Sequence, residues 1–273
     1  MQSLEVKQLS KTYGTNEHAV QAIRELTFDV QQGEFVCIVG PSGCGKTTLL
    51  KCLSGLLAPT AGAAFLEGKR IDGPSDGLAL VFQEYSRSLL PWMTVRGNVV
   101  LPLLAQRLRK KERELRAAEA LAAVGLSDFA DRHPWQLSGG MQQRVAIARA
   151  LAYKPSLLLM DEPFASVDAQ TRADLEDLVL KVHADFGITV VFVTHDIDES
   201  VYLSDRIVVL TQRPTTVKEV VEVHLPRPRA QMATKELAEF TRLRGHVFRL
   251  IKGDTADAPP AVSEPAAYEA VIS

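Results

Sequence analysis

No apolar run in this 273-residue sequence approaches the ~18 residues that a membrane-spanning helix needs, so no transmembrane segment is expected. The opening stretch, MQSLEVKQLSKTYG, holds no apolar core of the kind that drives secretion, and no signal segment is expected either. Charge of one sign is also missing: 31 Lys and Arg against 33 Asp and Glu leave a formal net charge of −2. A chain working on nucleic acid or anionic lipid through bulk electrostatics would be strongly basic, although this balance still permits a local basic patch. There are only three cysteines, Cys37, Cys44 and Cys52, with no C-x-x-C spacing. That count argues against a disulfide framework or a zinc site and for reduced thiols inside a cell. No internal repeat is visible. What remains is 46% hydrophobic and 23% charged, the make-up of a soluble, intracellular, folded chain. At ~150 residues per domain the length allows one large α/β domain or two small ones.

Four short runs are apolar on both faces: 35–39 (FVCIV), 157–160 (LLLM), 188–193 (ITVVFV) and 207–210 (IVVL). Such runs are expected in the strands of a parallel sheet covered on both sides. Between the second and third, Leu175, Leu178, Val179, Val182 and Phe186 recur at helical spacing, which predicts a strand–helix–strand crossover. Leu4 and Val6, 26–30 and 63–66 alternate with polar residues and predict half-exposed antiparallel strands. Residues 86–153 read as mainly helical, an insertion in the α/β domain. Within it, 105–124 is the clearest helix, and Gly125 stands at the position just past its end. A last amphipathic helix is expected over 235–252, carrying Phe240, Leu243, Val247, Leu250 and Ile251 on one side. Residues 254–273 have no Lys or Arg and read as a disordered tail.

GPSGCGKT at 40–47 fits G-x-x-x-x-G-K-[ST] and lies between a predicted strand and a helix-forming run. Gly40, Gly43 and Gly45 free the backbone to turn its N–H groups inward onto phosphate oxygens, with Pro41, Ser42 and Cys44 between them. The helix that follows adds the partial positive charge of its first turn, which includes Thr48. Lys46 is placed to reach terminal phosphates and Thr47 to offer a hydroxyl to Mg²⁺. Because Cys44 sits inside this loop, thiol reagents are expected to block it and a bound nucleotide to protect it.

LLLMDEP at 157–163 puts Asp161 and Glu162 at the carboxyl end of an apolar strand, the edge of an open α/β sheet where ligands bind. Asp161 is the candidate magnesium ligand and Glu162 the candidate general base for an attacking water. A second anion site is written at 137–151, LSGGMQQRVAIARAL. There Ser138 as a helix cap, with the bare N–H groups of Gly139 and Gly140 behind it, suits a phosphate.

One P-loop with a second anion site is unusual, and LSGGMQQR resembles the signature motif of the nucleotide-binding subunits of ABC transporters. The rest of the chain resembles that family in order. Tyr13 is similar to the aromatic that stacks on adenine. Gln83, closing the run 78–82, is similar to the glutamine that senses Mg²⁺ and the γ-phosphate. Asp168, in Ser166-Val167-Asp168, resembles the D-loop aspartate, and SVD departs from the commoner SALD; it could equally serve only as the cap of helix 169–186. His195 resembles the switch histidine at the γ-phosphate. The resemblance covers about residues 3–225. It implies a P-loop NTPase core of the ABC ATPase type, with a mixed sheet, an N-terminal antiparallel β subdomain and the helical insertion. Residues 226–253 would be a C-terminal helical extension.

It further implies ATP and Mg²⁺ as ligands, and a head-to-tail dimer in which each ATP is held between one chain's P-loop and the other's Ser138-Gly139-Gly140. An integral membrane permease would contact residues 84–99, where Leu89, Leu90, Trp92 and Met93 cluster; for each of these side chains the alternative is ordinary core packing. A solute-binding protein would join indirectly, and the chain would lie on the cytoplasmic side of the inner membrane. SLLPWMTVRGNV and the late stretch 225–251 resemble the nitrate, sulfonate and taurine importer branch. The basic run from Arg107 to Arg116 is interleaved with glutamates and reads as a solvated helix face, so no nucleic acid is expected. The rival reading, a soluble ABC ATPase in a nucleic-acid-linked machine, resembles proteins with a second cassette or a long coiled coil. This chain has one P-loop and only a short helix there.

Overall fold

The structure, a computed structural model, describes residues 2–14, 19–83 and 88–253. The strands are β1 (Gln2–Tyr13), β2 (Val20–Gln31), β3 (Phe35–Val39), β4 (Ala61–Leu66), β5 (Lys69–Arg70), β6 (Leu78–Val81), β7 (Leu157–Asp161), β8 (Thr189–Val193), β9 (Arg206–Leu210) and β10 (Thr215–Glu222). They form one mixed sheet in the order β5-β4-β1-β2-β10-β9-β3-β8-β7-β6. Pairing is antiparallel among β1, β2, β4 and β5, and parallel from β9 through β3, β8 and β7 to β6. The two halves meet where Thr215 of β10 pairs with Ile23 of β2.

The four continuous apolar runs are explained by two cores. In β3, Phe35, Cys37 and Val39 point into one core while Val36 and Ile38 point into the other. β7, β8 and β9 divide their residues the same way, so neither face of these strands meets water. Helix α1 (Lys46–Leu53) fills one face with Leu49, Leu50 and Leu53.

The other face carries the remaining helices: α2 (Val95–Val100), α3 (Lys110–Ala123), α4 (Gly139–Ala152), α5 (Ala169–Phe186), α6 (Ile197–Leu203), α7 (Gln231–Lys235) and α8 (Ala238–Lys252). The predicted stripe on α5 is buried through Val182, whereas Phe186 at its end is 45% exposed. The parallel neighbours β7 and β8 flank α5 in the chain.

Two helix limits differ from the sequence reading. The helix expected from 105 begins at Lys110, because Leu101–Leu104 forms a separate 3-10 turn and Arg109 is extended at the cap. The helix expected over 235–252 is broken at Leu237, whose extended backbone starts α8. Phe240, Leu243 and Val247 are buried as expected; Leu250 and Ile251 are half-buried. Gly125 takes the left-handed conformation (φ 72°) that ends α3. Residues 254–273 lie outside the described residues. Among the described residues no helix is long and apolar enough to cross a membrane.

Candidate active site

β3, β6, β7 and β8 each carry a sequence-predicted site residue just past the carboxyl end. Ile38 of β3 pairs with Val193 of β8, and two residues beyond them stand Gly40 and His195. Val81 of β6 pairs with Met160 of β7, and two residues beyond stand Gln83 and Glu162. Sheet order therefore gathers what the sequence spreads over more than a hundred positions.

A cavity of about 440 Å³ opens there, lined by Ser42, Gly43, Gly45, Lys46, Thr47, Thr48, Glu162, His195 and Arg213. Gly45 has φ 118°, a conformation that strains any residue with a Cβ, and its turn starts α1. The Lys46 ammonium is folded back onto the loop, donating to Gly40 O at 3.0 Å and Pro41 O at 3.3 Å, with Glu162 Oε1 4.0 Å away. Cys44 N–H closes the loop on Pro41 O at 3.2 Å.

Glu162 has φ 42°, left-handed for a residue other than glycine, a state that costs ~1–3 kcal/mol and gathers at functional sites. Its N–H donates to Val193 O at 2.9 Å, which holds the turn against β8. Its Oε2 lies 2.9 Å from His195 Nδ1. Asp161 is buried, with Oδ1 lacking a hydrogen-bond partner among the described residues. Burial pushes its carboxyl above the usual range, and the Thr47 hydroxyl beside it pulls the other way. A hydroxyl and a partly unpaired carboxylate are hard oxygen donors, the set that suits Mg²⁺.

Tyr13 stands at the rim, its hydroxyl 3.2 Å from Thr48 Oγ1 and its side chain exposed. Gln83 is exposed and does not line the cavity. Ser138 caps α4, accepting from Met141 N–H at 3.4 Å, with Gly139 exposed behind it. None of Ser138, Gly139 and Gly140 lines the cavity. Asp168 caps α5, accepting from Thr171 N–H at 3.0 Å and Thr171 Oγ1 at 2.7 Å, bonds that hold its carboxyl below the usual range.

Comparison with known proteins agrees with this geometry. The sequence profile described as "ABC transporter" matches residues 23–165. An uncharacterized ABC transporter ATP-binding protein of Methanocaldococcus jannaschii is 46% identical over 251 residues, 92% of each chain. The chain belongs to the ABC transporter family.

The nitrate import ATP-binding protein NrtD of Synechococcus elongatus is 43% identical over 239 residues, 86% of each chain. The bicarbonate transport ATP-binding protein CmpC of the same species is 44% identical over 249 residues, 89% of this chain; the chain spans only 37% of CmpC. Among solved structures, a dimeric bacterial ABC transporter cassette is 35% identical with a TM-score of 0.70, covering 81% of this chain and 98% of that one. A post-hydrolysis state of that cassette, bound to ADP and Pi, gives a TM-score of 0.69 at 35% identity, over 81% of this chain and 98% of that one. The chain is thus an ABC ATPase, a nucleotide-binding and ATP-hydrolysing subunit with the expected mixed-sheet P-loop fold.

Two features of this cassette were not legible in its motifs. Arg213, in the turn between β9 and β10, lines the cavity and donates to Gly43 O at 2.8 Å. No spacing rule points to it, because the sheet order alone brings that turn to the P-loop. Cys44 overturns the expectation of a reactive thiol. Its side chain is 2% exposed and joins the core between sheet and α1, and burial pushes the thiol up despite the nearby Lys46 charge. Cys44 belongs to the loop through its backbone.

Proposed function

We propose that this ATPase energises a multi-subunit importer of a small solute of the nitrate, sulfonate or taurine kind, as two copies bound to a membrane permease. One observation carries the pairing: Ser138 and Gly139 are exposed on α4, yet the P-loop cavity of the same chain is built without them. A second copy arranged head-to-tail would place its Ser138, Gly139 and Gly140 over ATP held at Gly40, Pro41, Ser42, Gly43, Cys44, Gly45, Lys46, Thr47 and Thr48. Tyr13 would stack on the base. The names of NrtD and CmpC support an importer of small solutes.

Within the site, Glu162 would take the proton of the attacking water, with His195 fixing the carboxylate. Lys46 would leave the carbonyls of Gly40 and Pro41 for the terminal phosphates. Thr47 and Asp161, with Gln83, would hold Mg²⁺, which when bound neutralises charge on the phosphates. Asp168 would add a partner contact from its cap.

The permease surface would be residues 88–99, of the expected 84–99; 84–87 lie outside the described residues. Leu89 is core, while Trp92 is 74% exposed. Asn98, fully buried, binds Leu90 N–H at 2.7 Å and the carbonyls of Leu90, Met93 and Thr94, so Trp92 is presented on a fixed loop. An exposed Trp on a rigid frame is a typical interface anchor. The chain would then sit peripherally on the cytoplasmic side of the inner membrane, with a solute-binding protein as an indirect partner. Purification of the tagged chain from detergent-solubilised host membranes tests this. A polytopic partner without its own cassette supports the importer; recovery with nucleic acid or with no membrane partner overturns it.

A further inference from the structure

We propose that the turn between β9 and β10 is a clamp on the P-loop, and that Arg213 is its positioning residue for nucleotide binding. The inference rests on the reading of this cavity as the nucleotide site. One close approach and two hydrogen bonds run in step along the loop. Leu210 Cβ would lie 3.0 Å from a Cβ at Gly40, so the end of β9 supports the loop's first residue. Arg213 Nη2 donates to Gly43 O at 2.8 Å. The Thr215 hydroxyl, fully buried, donates to Cys44 O.

A trans peptide holds its C=O and N–H on opposite sides. Carbonyls pinned by the turn at Gly43 and Cys44 therefore leave the N–H groups of Cys44 and Gly45 directed away from it. Cys44 N–H closes on Pro41 O at 3.2 Å, leaving the Gly45 N–H for a ligand in the cavity that Gly45 lines. This part of the anion cradle is thus set before any nucleotide arrives, which lowers the ordering cost of binding.

The turn itself is stiff. Thr211 N–H donates to Thr216 O at 3.0 Å and Thr216 N–H to Thr211 Oγ1 at 2.9 Å, while Thr215 pairs with Ile23 of β2. The clamp therefore stands where the antiparallel and parallel halves of the sheet join. Arg213 is exposed and at its tip, so its loss spares the core.

Direct binding of ATP and ADP to the full chain tests the clamp, with Lys46→Ala as a control. Arg213→Ala should weaken both nucleotides alike by about tenfold, the loss of one charge-assisted bond, with the melting temperature of the nucleotide-free chain unchanged. Hydrolysis should show the loss in KM rather than kcat, and Arg213→Lys should restore part of the affinity. Thr215→Val, close in shape, should act in the same direction. Wild-type affinity in Arg213→Ala while Lys46→Ala loses binding would overturn the clamp and leave the site standing. Weakening of ATP alone would overturn it too, since Arg213 would then be touching the terminal phosphate. Wild-type binding in Lys46→Ala would overturn the site itself.

Discussion

His195 Nδ1 stands 2.9 Å from Glu162 Oε2, joining residues that follow two different strands. A carboxylate only accepts, so across this contact His195 donates through Nδ1–H. The His195 side chain is 61% exposed and Glu162 20%, so the histidine forms the outer wall of the pair. The contact orients the carboxylate whose backbone is already held in a left-handed turn.

His195→Ala should therefore keep nucleotide binding while slowing hydrolysis by on the order of 10²-fold, the scale of misplacing a reacting group. Equilibrium binding and steady-state turnover on the same preparation check this. Unchanged turnover would mean that Glu162 needs no orienting partner.

Gly140, in the first turn of α4, stands against Thr171, in the first turn of α5. A Cβ at Gly140 would lie 2.4 Å from Thr171 Cγ2, on a side chain that Asp168 holds through its hydroxyl. Gly140→Ala should cost about 1–3 kcal/mol of stability, the usual range for overpacking. Thr171→Ser removes the colliding methyl and keeps the hydroxyl, so in the double variant most of that loss should return. A double-mutant cycle by chemical denaturation measures it, and strict additivity would contradict the contact.

Behind His195, Glu199 is buried on the first turn of α6 beside Thr194, with Glu176, Asp196 and Arg172 around it. Burial raises its carboxyl from 4.5 to about 8. Between those values the folded chain holds a proton that the unfolded chain has released, so the Glu199 contribution to stability is full below about pH 4.5 and falls as pH rises towards 8. Glu199→Gln should remove that part of the decline. Melting curves at pH 5 and pH 8 should show the variant gaining on the wild type at the higher pH; parallel curves would contradict the assignment.

Thiol reagents should label Cys44 slowly in the native chain, at a rate set by opening of the fold, since the side chain is 2% exposed. Labelling followed by mass determination, with and without denaturant, gives the rate. Fast native labelling at Cys44 would place the thiol on the wrong side of the loop.

The strand runs and the loop motifs were legible because each is local: an apolar run between turn residues, or glycines at fixed offsets. FVCIV at 35–39, GPSGCGKT and LSGG needed no partner to be read. Arg213 was not legible, because its role depends on β9 lying next to β3 and on the turn that follows, a relation between distant segments. The burial of Cys44 was hidden for a related reason, since spacing does not say which side of a loop faces the core. The break at Leu237 escaped the sequence reading because the apolar stripe begins only at Phe240, so periodicity says nothing about where the helix starts.

Hydrolysis of bound ATP by Glu162→Gln, measured at nucleotide occupancy equal to the wild type, tests the central claim most directly. The account predicts full occupancy with turnover lowered by roughly 10²-fold or more, the range for losing a general base. Near-wild-type turnover at that occupancy would remove Glu162 from the reaction and contradict the account.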